Sequence, residues 1–293
     1  MTGTTDKVTV IGLGSMGTAI AQAFLAHGAQ VTVWNRNKSK MDAMVLKGAT
    51  AAASAAEAIA ASGLTVICVS DYKTSDKIIR TEEVIKVLKG RALVQLSTGT
   101  PKEARELDAW AQLHGAACLN GDILAWPRQV GSSEATIAIS GNELKYKELE
   151  TALKALGTLN FLSNEPGHSA VLFSSVMAYL AGSWIGFVHG ALISEREGYS
   201  PEQFGELIHN ISPMLAVESR HMGRVIENNS FSDPESTVDT TGHDLHLLVQ
   251  HSEEAGISNE LPKFAADIFQ RAIDAGYGKE EHAAIIKVLR KVS

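Results

Sequence analysis

The apolar positions of the first half of the chain fall in short runs separated by stretches of mixed character. The runs Val8–Ile11, Val31–Trp34, Leu64–Val69, Ala92–Leu96, Ala117–Leu119 and Ala135–Ile139 are rich in Val, Ile and Leu. Their length and β-branched content predict strands. Between them, Met16–His27 and Met41–Lys47 have helical composition. The segment after Leu96 carries an explicit helix start, with Thr100 as N-cap, Pro101 at the first helical position and Glu103 placed to close a capping box. Gly115 marks its stop. Strands alternating with helices predict an α/β domain of parallel βαβ units, its sheet covered on both faces. Glu165-Pro166-Gly167 interrupts this pattern, so the first domain is expected to span 1–164.

Beyond Gly167 no strand pattern appears. Ser169–Ser194 runs 26 residues without Asp, Glu, Lys or Arg, which predicts a helix over 165–195 joining the first domain to an all-α region at 196–293. The length would also allow a membrane span. Tyr179, His189, several serines and the lack of Lys or Arg on its N-terminal side argue against one. A helix that is apolar all round needs burial all round. Ser174, Ala178, Gly182, Gly186 and Gly190 form a stripe of small residues, while Phe173, Met177, Leu180 and Trp184 cluster on a bulkier face. One subunit of this size is not expected to wrap such a helix, so a homodimer sharing it is the simplest arrangement. Breaks are expected near Ser200-Pro201, Ser232–Pro234 and Leu261-Pro262.

Charge and cysteine content narrow the setting. A net charge of −7 argues against nucleic acid or an anionic membrane as partner, since both select basic faces. The polar opening Met1–Lys7 lacks the apolar core of a signal peptide. Cys68 and Cys118, each in an apolar run, read as small buried hydrophobes. A reducing, cytoplasmic setting follows as the expectation.

The chemistry enters with Gly12-Leu13-Gly14-Ser15-Met16-Gly17, which follows the first strand and opens the first helix. In that setting the motif predicts a dinucleotide-binding turn. Gly12 permits the turn, Gly14 admits a pyrophosphate, and Gly17 lets helix and strand approach. The free N–H groups at the helix start would face the phosphates. The second strand ends in Trp34-Asn35-Arg36-Asn37-Lys38, with Lys40 nearby, and lacks the carboxylate that usually binds a ribose 2′-hydroxyl. Arg36 suits a 2′-phosphate instead, which favours NADPH. Asn35, Lys38, Val69, Ser70 and Thr98, at or just beyond the ends of strands, complete the expected cofactor face.

With both regions in view, the chain resembles the imine reductase and reductive aminase family, within the larger group of β-hydroxyacid dehydrogenases and 6-phosphogluconate dehydrogenase. The matching segments are Val10-Ile-Gly-Leu-Gly-Ser-Met-Gly-Thr-Ala, Val33-Trp-Asn-Arg, Leu96-Ser-Thr-Gly-Thr-Pro, Gly121-Asp-Ile-Leu-Ala-Trp-Pro, Gly186-Phe-Val-His-Gly-Ala and Ala275-Gly-Tyr-Gly. The resemblance implies a Rossmann domain, a long interdomain helix, and a helical C-terminal domain exchanged within a homodimer. It implies a small-molecule substrate held near Leu124, Trp126, Phe173, Met177, Trp184, Thr240 and Thr241. The catalytic lysine of β-hydroxyacid dehydrogenases would fall at Phe173, and their asparagine at Met177. Imine reductases commonly place Asp or Tyr where this chain has Phe173. Ile211, Thr240 and Thr241 stand where the family often has Trp, Met and Asn or Gln.

A ketone must gain a proton as hydride arrives, whereas an iminium is already cationic. The Phe173, Met177 and Trp184 face therefore suits an iminium-type substrate, whose charge aromatic rings can stabilise. Plain core packing would leave the same stripe. The polar candidates for catalysis are Asp122, where the family has a small residue, Thr98 at the end of the fifth strand, and Asp244. The last shares a helical face with Thr240 and His251. His243-x-x-His246 lacks a third ligand at a recognisable spacing, so no metal site is expected. Three functions stay open. They are an NADPH-dependent imine reductase, a β-hydroxyacid dehydrogenase relative with another proton donor, and a catalytically silent NADPH-binding dimer.

Overall fold

The computed structural model describes residues 7–290, and the polar opening 1–6 lies outside them. The first half runs β1 (Lys7–Ile11), α1 (Ser15–Ala26), β2 (Gln30–Trp34), α2 (Lys38–Val45), β3 (Thr50–Ala51), α3 (Ala55–Ala60), β4 (Leu64–Ile67), α4 (Tyr72–Ile79), α5 (Glu82–Leu88) and β5 (Ala92–Gln95). It continues through α6 (Pro101–Leu113), β6 (Ala117–Leu124), β7 (Thr136–Gly141), α7 (Glu143–Leu153) and β8 (Thr158–Ser163). The eight strands form one sheet in the order β3-β2-β1-β4-β5-β6-β7-β8. Val8, Val10, Val66, Val94 and Leu119 are buried on one face, and Ile11, Ile67, Leu93 and Cys118 on the other. Strand order reverses direction at β1, which has β2 on one side and β4 on the other. In an open parallel sheet that is where a ligand crevice forms.

The sheet departs from the expectation of uniform parallel pairing. β6 and β7 are antiparallel, while the other pairs are parallel. A parallel return needs a crossover the length of a helix. The connection between these two strands holds only a short 3-10 turn at Pro127–Gln129. β6 also runs on through Asn120, Gly121 and Asp122 to Leu124, beyond the apolar run that announced it. α6 begins as expected: Thr100 Oγ1 accepts the Glu103 N–H at 3.2 Å, and Glu103 Oε2 accepts the Thr100 N–H at 2.8 Å. Both cysteines are buried and free, and burial pushes the Cys68 thiol up to about 12.

Two compact units divide after Ala178, within α8 (His168–Arg196). The second unit holds the rest of α8 and α9 (Pro201–Asn228), α10 (Val238–Glu254), α11 (Glu260–Ala272) and a last turn, α12 (Ile286–Leu289). Its core gathers Val225, Phe231, Val238, Phe269, Ala272, Ala283 and Ala284. The break expected near Leu261-Pro262 falls just before it, between α10 and α11, and Pro262 lies in the first turn of α11, where a missing N–H is tolerated. Within this unit α8 is not buried: Trp184 is 49% exposed, Ile185 57% and Val188 59%. A Cβ added at Gly182 or Gly186 would meet nothing within 4 Å. His189 is the exception, buried with Nε2 3.1 Å from Ser252 Oγ.

The turn after β1 depends on glycine. Gly12 has φ +95°, and a Cβ there would collide with the Cys68 carbonyl. Gly12→Ala should therefore lower stability by about 2 kcal/mol or more, read as a fall in Tm against Gly28→Ala, which is equally left-handed but faces open space.

Candidate active site

The turn between β1 and α1 lines a cleft of about 370 Å³ with Gly12, Leu13, Gly14, Ser15, Met16 and Gly17 on one wall. Trp34, Asn35 and Arg36 from the end of β2, and Cys68, Val69 and Ser70 from the end of β4, form the others. Trp34, Arg36, Thr74 and Ile78 also line a neighbouring hollow, so the groove continues between β2 and α4. The three glycines divide the work by geometry. A Cβ on Gly17 would strike the Gly12 carbonyl, so α1 packs against the turn itself. Gly14 faces open space, with no Cβ to hold a ligand away. No side chain caps α1, and its first turn holds no acidic residue. Its leading N–H groups and the positive end of the helix are thus free for an anion.

Asn35 does more than line the cleft. Its Oδ1 accepts the Leu13 N–H at 3.1 Å, tying the end of β2 to the glycine turn. Leu13 itself is buried, so its backbone N–H is already satisfied and is not offered to a phosphate. Arg36 stands exposed at the rim. Asn37 caps α2 by accepting from Ser39 N–H at 3.0 Å. Lys38 begins that helix and does not line the groove, whereas Lys40 joins Asn35, Arg36 and Asn37 around a shallow outer hollow. Thr98 is exposed and also outside the cleft lining. Its neighbour Ser97 is the buried one, with Oγ accepting the Val69 N–H at 2.9 Å. Gln95 accepts the Ser97 N–H at 3.2 Å and donates to Ser75 Oγ at 2.7 Å. This buried chain, absent from the sequence reading, fixes the loops after β4 and β5. A glutamine inside the otherwise apolar Ala-Leu-Val-Gln-Leu run is its one signal.

Asp122 lies on β6 and is 6% exposed. Burial pushes its carboxyl up to about 6, and a hydrogen bond with the Ser169 side chain draws it back. Ser169 is held by Ser140 Oγ, which accepts the Ser169 N–H at 3.2 Å. Two residues earlier on the same face of β6, Asn120 Oδ1 accepts from the Tyr72 hydroxyl at 3.0 Å. The Tyr72 ring lies where a Cβ on Gly99 would be. Burial raises the Tyr72 hydroxyl above its ordinary value, and Asp122 nearby further opposes its ionisation. The Tyr72–Asn120 pair is a further feature that the sequence reading misses, because nothing in the spacing relates positions 48 apart.

The remaining predicted residues separate by unit. Phe173 and Met177 are half-buried on the first part of α8, and Leu124 is half-buried at the end of β6. Trp126 is 60% exposed beyond it. Trp184, Thr240, Thr241 and Asp244 lie in the second unit. There Thr240 Oγ1 sits 2.9 Å from Thr237 Oγ1 and Thr241 Oγ1 3.2 Å from Ser236 Oγ, which engages both hydroxyls in the first turn of α10. Asp244, His243 and His246 are exposed.

Comparison with known proteins agrees with this construction. Residues 7–169 match the family model of the NAD binding domain of 6-phosphogluconate dehydrogenase. Residues 165–291 match that of the NADPH-dependent reductive aminase-like C-terminal domain. A curated NADPH-dependent reductive aminase from Aspergillus oryzae is 27% identical over 286 residues, spanning 96% of each chain. An imine reductase from Myxococcus stipitatus, solved with NADP+, is 30% identical with TM-score 0.92, covering 97% of this chain and 100% of that one. A reductive aminase from Aspergillus terreus, solved with NADPH4, cyclohexanone and allyl amine, is 29% identical with TM-score 0.89, covering 99% and 100%. With a glycine turn, an uncapped α1 and a basic rim at Arg36, and with relatives aligned over nearly its whole length, the chain belongs to the imine reductase and reductive aminase family.

Proposed function

We propose that this chain is an NADPH-dependent oxidoreductase that reduces imines or iminium ions to amines, with Asp122 holding the proton that the reaction consumes. The observation that carries the reading is the cleft, where uncapped α1 amides and Arg36 meet the demands of a phosphorylated dinucleotide. Gly12, Gly14, Ser15, Met16, Gly17, Asn35, Arg36, Val69 and Ser70 would hold the cofactor. When bound, NADPH supplies the hydride. The protein's share is to orient the acceptor carbon, keep water away and manage one proton.

Position 173 holds a phenylalanine, so no acid or lysine stands where related enzymes place one. A carboxyl near 6 is matched to proton transfer at neutral pH. Asp122 gives its proton to the imine nitrogen, and the carboxylate left behind stabilises the iminium that accepts hydride. The Ser169 hydroxyl keeps that carboxylate oriented. Half-buried Phe173 and Met177 exclude water without offering a second acid. The missing lysine disfavours 3-hydroxy acid oxidation, which needs a group to take the alcohol proton.

The same reading includes a homodimer. Exposed Trp184, Ile185 and Val188 lie on one helix with open Gly182 and Gly186, supplying both bulky side chains and the hollows to receive them. A second copy of this chain is the partner that presents the same surface. Buried, free cysteines fit the reducing, cytoplasmic setting inferred from the sequence.

Three measurements test these statements. Arg36→Ala should weaken NADPH binding by roughly tenfold to a hundredfold or more, the equivalent of about 1.5–3 kcal/mol, with little effect on NADH. Equal losses for both cofactors in a titration would remove the 2′-phosphate role. Asp122→Asn should lower kcat with a cyclic imine and abolish an inflection near pH 6 in kcat/KM. Because folding raises this carboxyl's pKa, its contribution to stability is present at low pH and is lost as pH rises through about 6. The same variant should therefore be more stable than wild type at pH 8, by about 1–3 kcal/mol, and gain nothing near pH 4. A purely structural Asp122 would show the stability pattern with turnover intact. In light scattering the wild type should be a dimer at micromolar concentration, and Gly186→Leu should disturb assembly. A stable wild-type monomer overturns the shared helix.

A further inference from the structure

Asp122 and Glu281 are the two buried carboxylates among the described residues, and the second has no part in the chemistry above. Glu281 follows the core of the second unit, pinned by its N–H to the Phe231 carbonyl at 2.9 Å and by a bridge to Thr237. Its side chain is 1% exposed. Oε2 accepts the Glu235 N–H at 3.1 Å and lies 3.5 Å from His221 Nε2. Oε1 is closed to solvent and has no hydrogen-bond partner. His282 Nδ1, 2.7 Å away, is also buried and without a hydrogen bond, so the two atoms are close but not aligned as donor and acceptor. Glu218 Oε1, 3.2 Å from His282 Nε2, is the third buried atom of this group without a partner.

A buried carboxylate oxygen without a donor is costly, and three unpartnered atoms gathered around one imidazole share a single remedy. We propose that Glu218, Glu281 and His282 bind a divalent transition-metal ion of the zinc class. Their donor atoms lie within 4.8 Å of one another, so a small adjustment of the side chains brings them to the bond lengths of about 2.0–2.2 Å that one ion needs. One imidazole with two carboxylates suits zinc or manganese better than calcium or magnesium, which prefer all-oxygen shells. His221, one helical turn from Glu218 on α9, orients Glu281 through its other oxygen. The ion joins α9 to the 281–282 segment, so its first effect is to fasten that segment to the core of this unit. Glu218 stands 63 positions before the adjacent pair Glu281 and His282, which is why the sequence spacing offers no metal site.

The test uses the full-length chain without an affinity tag, stripped with a chelator and titrated with zinc by calorimetry and with cobalt by visible absorption. One equivalent per chain should bind at micromolar Kd or tighter, with cobalt d–d bands and a Tm that rises with zinc. Glu218→Gln and His282→Gln should each weaken binding tenfold or more, while Asp122→Asn leaves it unchanged. Glu218 is partly exposed, so its variant keeps the test valid if changes at Glu281 disturb folding. Absence of binding to the folded wild type overturns the site, as does binding that neither variant weakens.

Discussion

The architecture of the cofactor cleft depends on two backbones touching with nothing between them. The β1–α1 turn passes so close to the end of β4 that a methyl group on Gly12 would occupy the Cys68 carbonyl, and one on Gly17 would occupy that of Gly12. Ladder bonds hold the contact from both sides, with Gly12 N–H donating to the Trp34 carbonyl at 3.0 Å and Cys68 N–H to that of Ile11 at 2.9 Å. Once β1, β2 and β4 are locked in this way, the start of α1 has one direction to point. Its unpaired amides then open onto the crevice where the strand order reverses. Asn35 completes the constraint by taking up the Leu13 N–H. The anion site is a by-product of how tightly the sheet closes around its own switch point.

What the sequence made legible follows from the same packing. β1, β4 and β5 lie within the sheet and are well buried, and such strands appear as nearly unbroken apolar runs. β8, at the edge, alternates exposed Thr158 and Asn160 with half-buried Leu159 and Phe161, and two-residue β3 has no pattern at all. The apolar run at Ala117–Leu119 stops short of β6 because Asn120-Gly121-Asp122 carries no apolar signal. In the fold, Gly121 is squeezed between Ile139, Leu96 and the Ala138 carbonyl, while Asn120 and Asp122 find partners in Tyr72 and Ser169. Local periodicity cannot report partners that arrive from distant segments. The glycine motif and Arg36 were legible because their chemistry is contiguous; the Gln95–Ser97–Ser75 chain was not.

The same distinction separates two kinds of polar burial in this protein. Along β6 the polar side chains meet neutral partners: Tyr72 meets Asn120 Oδ1, although Asn120 Nδ2 is left without one, Ser169 meets Asp122, and Ser140 steadies Ser169. A carboxylate in that setting is displaced in pKa but remains useful, since its proton is held at an energy close to that of the solution. Glu281 sits in a deeper and less complete environment, with one oxygen bonded and the other facing His282 and Glu218 without alignment. A low-dielectric interior makes a satisfied network rigid and an unsatisfied one expensive. The first condition suits a group that must exchange a proton repeatedly. The second suits a group that receives a cation once and keeps it.

The apolar helix α8 obeys the same accounting on a larger scale. Its mean hydropathy of 1.7 over the most apolar window is high enough for a membrane span, yet its small residues are not scattered. Gly182 and Gly186 are open and Gly190 is closed by Phe204, whose ring would collide with a Cβ there. Phe204 also packs against Phe187 with ring centroids 5.2 Å apart. One part of the small stripe is therefore already filled from α9 of the same unit, and the next turns repeat the hollow without an occupant. Lipid tails gain little from a groove of that shape, because they fill any apolar surface equally well. A protein side chain gains much, since close packing needs a matching cavity. The pattern of α8 is that of a helix shaped for another helix, and at Gly190 the close approach that glycine permits is already made by Phe204.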